Sequence, residues 1–111
     1  MKAFISVSKP ELEADLDDRF GRAPYFLVVD TEKGNIWKAI ENPNTHDEHG
    51  VGIKTANMAI NEDVDCVIGK HFGPKVADVL RSAGIKMYSA EIMKVSEVIK
   101  KCNNSELTEI K

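Results

Sequence analysis

Residues 64–89, VDCVIGKHFGPKVADVLRSAGIKMYS, decide how this chain folds. VDCVIG, 64–69, is a nearly continuous apolar run bounded by turn residues, the pattern of a strand covered on both faces. In GPKVADVLRSAG, 73–84, Pro74 stands just inside a helix start and Gly84 terminates it. IKMYS, 85–89, is a second short strand. A strand, a helix and a strand at this spacing make a parallel pair joined by a right-handed crossover.

Working outward, AEIMKVSEVIKKC, 90–102, sets Ile92, Val95, Val98, Ile99 and Cys102 on one stripe, which predicts a third helix over 90–102. Lys100 and Lys101 near its end suit the negative pole of the helix. Residues 103–111 read as a frayed tail. Before the strand pair, Val51, Ile53, Ala56, Ala59 and Ile60 predict a helix over 51–62. KAFISV, 2–7, alternates as a strand, and PYFLVVD, 24–30, is rich in aromatic and β-branched residues. Glu32-Lys33-Gly34-Asn35 is a hairpin turn, and IWKAIEN, 36–42, returns antiparallel to the second strand. The order βββαβαβα gives an α/β fold. It has one five-stranded mixed sheet with helices on both faces, the first and fourth strands central, and only the second strand antiparallel. A single domain over 1–102 accounts for it.

At 42% hydrophobic and 30% charged, the chain can bury a core and is not a disordered segment. A net charge of -3 argues against a general nucleic-acid binder. No apolar stretch is long enough for a signal-peptide core or a membrane span, so a cytoplasmic protein is expected. Cys66 and Cys102, far apart in different elements, are expected to stay reduced.

The topology predicts where chemistry collects. The first, third, fourth and fifth strands share their carboxyl edge, and connections 8–23, 42–51, 70–74 and 89–91 leave from it. Arg19, Phe20, Gly21 and Arg22 fall in the first connection. His46, His49, Gly50 and Gly52 fall in the second, and Lys70, His71, Phe72 and Gly73 in the third. Ligands of open α/β sheets bind at this edge, and helix N-termini there favour anions. Each feature also has a plainer reading. Phe20 packs on the sheet end, the glycines let the chain turn, and Thr45 with Glu48 matches a capping box. Cys66 is read as a small core residue. There is no Cys-x-x-Cys and no His-Glu-x-x-His. His46 and His49 are either solvated loop side chains or supply two metal ligands, with His71 or an exogenous group as a third. Neutral imidazole suits iron, copper, nickel and zinc, and equally caps one iron of a preformed cluster.

DDRFGRAPYFLVVD, ENP after the third strand, HGVGIKTANMAI, VDCVIGKHFGPKVADVL and SAGIKMY together resemble the dinitrogenase iron–molybdenum cofactor-binding family, the NifX-like domain also found at the C-terminus of NifB. The resemblance runs from about Met1 to Tyr88. It implies a ribonuclease H-like three-layer α/β/α fold with strand order 3-2-1-4-5. It also implies a non-enzymatic protein that binds and carries iron–molybdenum cofactor or iron–sulfur precursors, with cluster-assembly or nitrogenase-type partners. By matching position, the resemblance carries over the loop Arg19, Phe20, Gly21 and Arg22, the glycine pair Gly50 and Gly52, and the turn before Gly73 as cofactor-binding. His49 and His71 join them as candidate cofactor contacts, and His46, His49 and His71 as candidate metal ligands, from their place at the carboxyl edge and not from the resemblance, since many relatives carry glycine or alanine where this chain has Asp47-Glu48-His49.

Two other function classes remain. A two-metal nuclease needs several acids at one point. Here the first strand offers Phe4, Ser6 and Ser8, while Asp65 and Asp30 fall at the opposite edge. A regulatory or partner-docking domain would bind a small anion, or no ligand, and present its last helix and tail.

Overall fold

The computed structural model describes residues 1–47 and 49–111. Its elements are β1 (Lys2–Val7), β2 (Tyr25–Asp30), β3 (Asn35–Glu41), α1 (Val51–Asn61), β4 (Cys66–Gly69), α2 (Pro74–Ser82), β5 (Lys86–Ser89), α3 (Val95–Asn103) and β6 (Thr108–Ile110). They form one mixed sheet in the order β3-β2-β1-β4-β5-β6. β1 pairs antiparallel with β2, from Lys2 opposite Asp30 to Val7 opposite Tyr25. It pairs parallel with β4, which pairs parallel with β5.

Side-chain alternation along β1 divides the core. Phe4 faces a cluster with Phe26, Val28, Val67 and Met87, closed by Ala56 and Ala59 of α1 and Ala77 and Leu80 of α2. Ala3, Ile5 and Val7 face the other way, onto Leu27, Val29, Cys66 and Ile68 beneath Val95, Val98 and Ile99 of α3. The sheet thus lies between two helical layers. The small residues of α1 and α2 let both helices lie close to the large aromatic and aliphatic side chains of the sheet. Trp37 is the extra residue of a bulge, because Val28 pairs with Lys38 and Val29 with Ile36. This breaks the regularity of the exposed β3 edge, which blunts pairing with other chains.

Two expectations are corrected. The sheet has six strands and a second antiparallel member. Residues 108–110, expected in a frayed tail, pair with β5 from Met87 opposite Ile110 to Ser89 opposite Thr108. The physical reason is the open edge of β5, which β6 covers while Leu107 and Ile110 pack on opposite faces of the sheet. The third helix begins at Val95, not at residue 90. The segment before it is tied to the first loop instead. The Leu16 N–H donates to Met93 O at 2.9 Å, and the Val95 N–H donates to Ala14 O at 2.9 Å. Ile92, assigned to the apolar stripe, is consequently exposed. No helix among the described residues is long and apolar enough to cross a membrane.

Candidate functional site

The loop after β1 is folded back onto its own strand. The Asp17 N–H donates to Ser6 O at 2.9 Å, and Ser6 Oγ donates to Asp17 O at 2.9 Å. The Asp17 carboxylate then accepts from the Arg19 backbone N–H (2.8 Å), Nε (3.1 Å) and Nη2 (2.9 Å). Burial pushes the Asp17 carboxyl up, but the hydrogen bonds from Arg19 outweigh it and hold the group below its ordinary value. Arg19 is therefore a held cation, paired on one side and exposed on the other.

Phe20 anchors the loop. It is buried and packs edge-on against Phe4 (6.4 Å between centroids) and Phe72 (5.3 Å), and Phe4 stacks on Phe26. Its position in the sequence motif thus has a packing cause. Gly21 lies directly on the start of α1, where a Cβ would stand 2.7 Å from Gly52 N and 2.9 Å from Val51 C. A Cβ on Gly52 would in turn stand 2.8 Å from Val76 Cγ2 of α2. These two glycines draw the loop, α1 and α2 together. Arg22 Nη1 donates to Thr45 O at 3.3 Å, linking the first loop to the second.

Both helices that open here begin on glycine. Gly50 is the N-cap of α1 with φ 72°, a left-handed conformation that favours glycine. Gly73 is the N-cap of α2, followed by Pro74. Among the described residues, neither helix has a side-chain cap hydrogen bond or an acid in its first turn. Helical bonding starts with Lys54 N–H to Gly50 O and Ala77 N–H to Gly73 O. The N–H groups of Val51, Gly52, Ile53, Lys75 and Val76 precede those bonds and confer the positive pole of each helix. The capping box is thus corrected: Gly50, not Thr45, caps α1, and Glu48 lies outside the described residues. Asp47 forms an ion pair with Lys54, which offsets its charge next to the helix start.

Between these parts lies an open crevice of about 350 Å³. Arg19, Phe20, Gly21, Arg22, Gly52, His71 and Gly73 line it together with Asp18, Val51 and Val76. Seven of the nine residues expected to bind the cofactor therefore meet at one place. Gly50 caps the helix beside it, and His49 is exposed on the preceding segment. The three histidines do not meet. His71 lines the crevice, whereas neither His46 nor His49 is among its described walls, and both are exposed. Among the described residues, no three His, Cys, Asp or Glu side chains converge to hold a metal ion. His71 belongs to the connection after β4, whereas His46 and His49 lie in the part of the connection after β3 that precedes Gly50 and stays off the crevice wall.

A larger hollow of about 570 Å³ lies at the opposite edge, lined by Met1, Asp63, Asp65, Gly84 and Lys86 among others. It lies past the ends of α1 and α2, where the helix poles are negative, and its two acids are balanced by Lys86 and the amino terminus of Met1, so nothing there singles out an anion. The acids that bear on a nuclease are also engaged at that edge. Asp65 accepts the Lys2 N–H at 2.7 Å, and Asp30 accepts the N–H groups of Glu32 and Lys33. Cys66 is fully buried, and burial pushes its thiol up to about 12, as befits a core residue.

Asn42 escapes a reading by motif. It is 5% exposed, and its amide donates to Gly21 O (3.2 Å) and Ala23 O (2.8 Å) while Oδ1 accepts from Asn44 N–H (2.9 Å). The only sequence signal is its place in ENP, which the resemblance includes without a role. Asp17 was equally indistinct among the five acids of its loop.

The sheet and its edge define a three-helix α/β protein whose carboxyl-edge crevice is built from two helix starts and an arginine–phenylalanine–glycine loop. The chain belongs to the dinitrogenase iron-molybdenum cofactor family, whose pattern it matches over residues 1–105. An uncharacterized protein of Methanocaldococcus jannaschii is 36% identical over 87 residues, which cover 77% of this chain and 74% of that protein. Among solved structures, the apo form of the orange protein from Desulfovibrio gigas superposes with a TM-score of 0.90 at 25% identity, covering 98% of this chain and 92% of the other. A putative NifB protein from Thermotoga gives 0.81 at 32% identity, covering 97% and 91%.

Proposed function

We propose that this protein is a non-enzymatic carrier for an anionic iron–sulfur metallocluster, iron–molybdenum cofactor or a related precursor, held in the carboxyl-edge crevice. The observation that carries the reading is the pairing at one crevice of two glycine-capped helix starts that have, among the described residues, no side-chain cap and no acid in the first turn, with Arg19 and Arg22 on the wall beside the single acid Asp18. Free N–H groups and helix poles favour an anion without needing a matched geometry. The apolar walls from Val51, Val76 and Phe20 suit a ligand whose surface is largely sulfide. Family membership points the same way.

The donor set also supports a preassembled cluster as cargo over a bare metal ion. A bare ion needs three or four convergent protein ligands, whereas a cluster brings its own and takes at most a few imidazole bonds. His71 is the best-placed donor, with His46 and His49 next. On this reading the frame is the ribonuclease H-like three-layer fold, and the domain spans 1–102 with β6 as an addition. The protein works in the cytoplasm and exchanges cargo with cluster-assembly or nitrogenase-type partners.

The test is strictly anaerobic reconstitution with iron(II), sulfide and molybdate, followed by desalting, visible absorption and metal analysis. A retained chromophore with metal and sulfide in fixed ratio to protein is expected, and His71→Ala should change its spectrum more than His46→Ala or His49→Ala. Retention of no metal by the native protein overturns the reading.

A further inference from the structure

We infer that Asn42 is the positioning residue of the crevice. It sets the height of the arginine–phenylalanine–glycine loop over the first turn of α1 by holding the Gly21 and Ala23 carbonyls. The inference rests on the cluster-carrier reading for its effect on binding, and on the hydrogen bonds alone for its effect on geometry.

Among the described residues, Asn42 is one of four buried polar or charged residues, and both sides of its amide are hydrogen-bonded. Its backbone N–H donates to Pro24 O at 2.9 Å, which fixes it at the end of the β2–β3 ladder. From that anchor one NH₂ group spans two carbonyls of the first loop, and Oδ1 holds the next residues of the second loop. Gly21, so held, lies against Gly52 N at a distance that leaves no room for a Cβ. Gly52 N is one of the donors that precede helical bonding in α1. The position of Gly21 therefore decides how far that N–H opens into the crevice, and Asn42 decides the position of Gly21. No other residue type supplies two amide hydrogens and an acceptor at this length. Aspartate would turn a carboxylate toward two carbonyls, and serine is too short to reach both.

The experiment titrates Asn42→Ala, Asn42→Ser and the wild type with tetrathiomolybdate, a diamagnetic sulfidic anion, and follows ¹H–¹⁵N amide shifts with and without it. Val98→Ala, a core change on the opposite face of the sheet, serves as a variant of lowered stability with an intact crevice. All are measured well below their melting temperatures. The free Asn42→Ala protein should show its largest shifts at Gly21–Ala23 and Val51–Ile53, and its affinity should fall at least about fivefold. Asn42→Ser should lose less, and Val98→Ala should bind as the wild type does. If Asn42→Ala leaves the Val51–Ile53 amides in place, or if Val98→Ala loses as much affinity, Asn42 is an ordinary fold residue and the inference fails. If Asn42→Ala does not fold, the same criteria apply to Asn42→Ser. Should the wild type bind nothing, the cluster reading fails, and the amide map of the free variants alone decides the role of Asn42.

Discussion

Replacing Gly21 and Gly73 by alanine separates what the fold needs from what a ligand needs. At Gly21 the added Cβ would meet Gly52 N at 2.7 Å, Val51 Cγ2 at 2.8 Å and Val51 C at 2.9 Å. Two of these atoms are backbone, so no side-chain rotation relieves the overlap, and the loop must lift off α1. Overpacking of this kind costs about 1–3 kcal/mol. For a chain of this size each kcal/mol corresponds to roughly 4 °C, so Gly21→Ala should melt about 4–12 °C lower. Gly73 is the opposite case. Its φ of -67° is ordinary for any residue, and a Cβ there would meet nothing within 4 Å. Gly73→Ala should therefore stay within about 1 kcal/mol of the wild type, because the gain from restricting the unfolded chain opposes the poorer N-cap that alanine makes. Yet Gly73 lines the crevice, so the added methyl occupies space a cluster would use. Differential scanning calorimetry and anaerobic cluster retention, measured on both variants, read the two effects. A Gly73→Ala protein that unfolds as readily as Gly21→Ala would refute the steric reasoning. One that keeps full cluster retention would remove Gly73 from the binding surface.

Three further outcomes are expected. Because the folded Asp17 carboxyl lies below its ordinary value, its contribution to stability is present at pH above the unfolded value near 3.8 and is lost as pH falls through the folded value. Asp17→Asn should thus flatten the acid limb of a stability–pH profile measured by urea unfolding, and an unchanged limb would contradict the pairing with Arg19. Cys66 should resist a thiol reagent such as DTNB at pH 8 in the native protein and react only after unfolding, since its thiol stays protonated far above that pH; fast native labelling at Cys66 would contradict its burial. Truncation after Asn104 removes β6, the packing of Leu107 and Ile110, and the 2.9 Å bond from Arg81 to Lys111 O. A clear drop in melting temperature is expected, whereas an unchanged one would show the tail to be ornamental to the fold.

Much of the frame was legible because its signals are local. The apolar run at 64–69, the Gly73-Pro74 start and the Gly84 stop each report a strand or helix end by their own chemistry. Topology rules then fixed which loops share an edge. What was not legible depends on partners distant in sequence. Residues 90–94 carry helical spacing, but the Ala90 N–H donates to Gly69 O and Met93 O accepts from Leu16, while Val95 and Ser96 at the helix start donate to Ala14 and Leu12, which no periodicity shows. β6 is three residues long with two exposed, and its strand character comes from the open edge of β5. The same division holds at the site. The convergence of Arg19–Arg22, Gly52, His71 and Gly73 followed from topology, while the absence of His46 and His49 from the crevice walls depends on the local path of the chain before Gly50, which topology does not set. Asn42 was hidden because a buried amide looks like any turn asparagine until its two carbonyl partners are seen.

On the carrier reading, an anionic sulfidic ligand sits against the two helix starts at the carboxyl edge. Amide shift mapping of the ¹⁵N-labelled wild type during titration with tetrathiomolybdate tests it most directly. Saturable shifts centred on Arg19–Arg22, Val51–Ile53 and His71–Val76 are expected. Shifts centred instead on Asp63–Asp65 and Ala83–Lys86, or none at saturating anion, would contradict it.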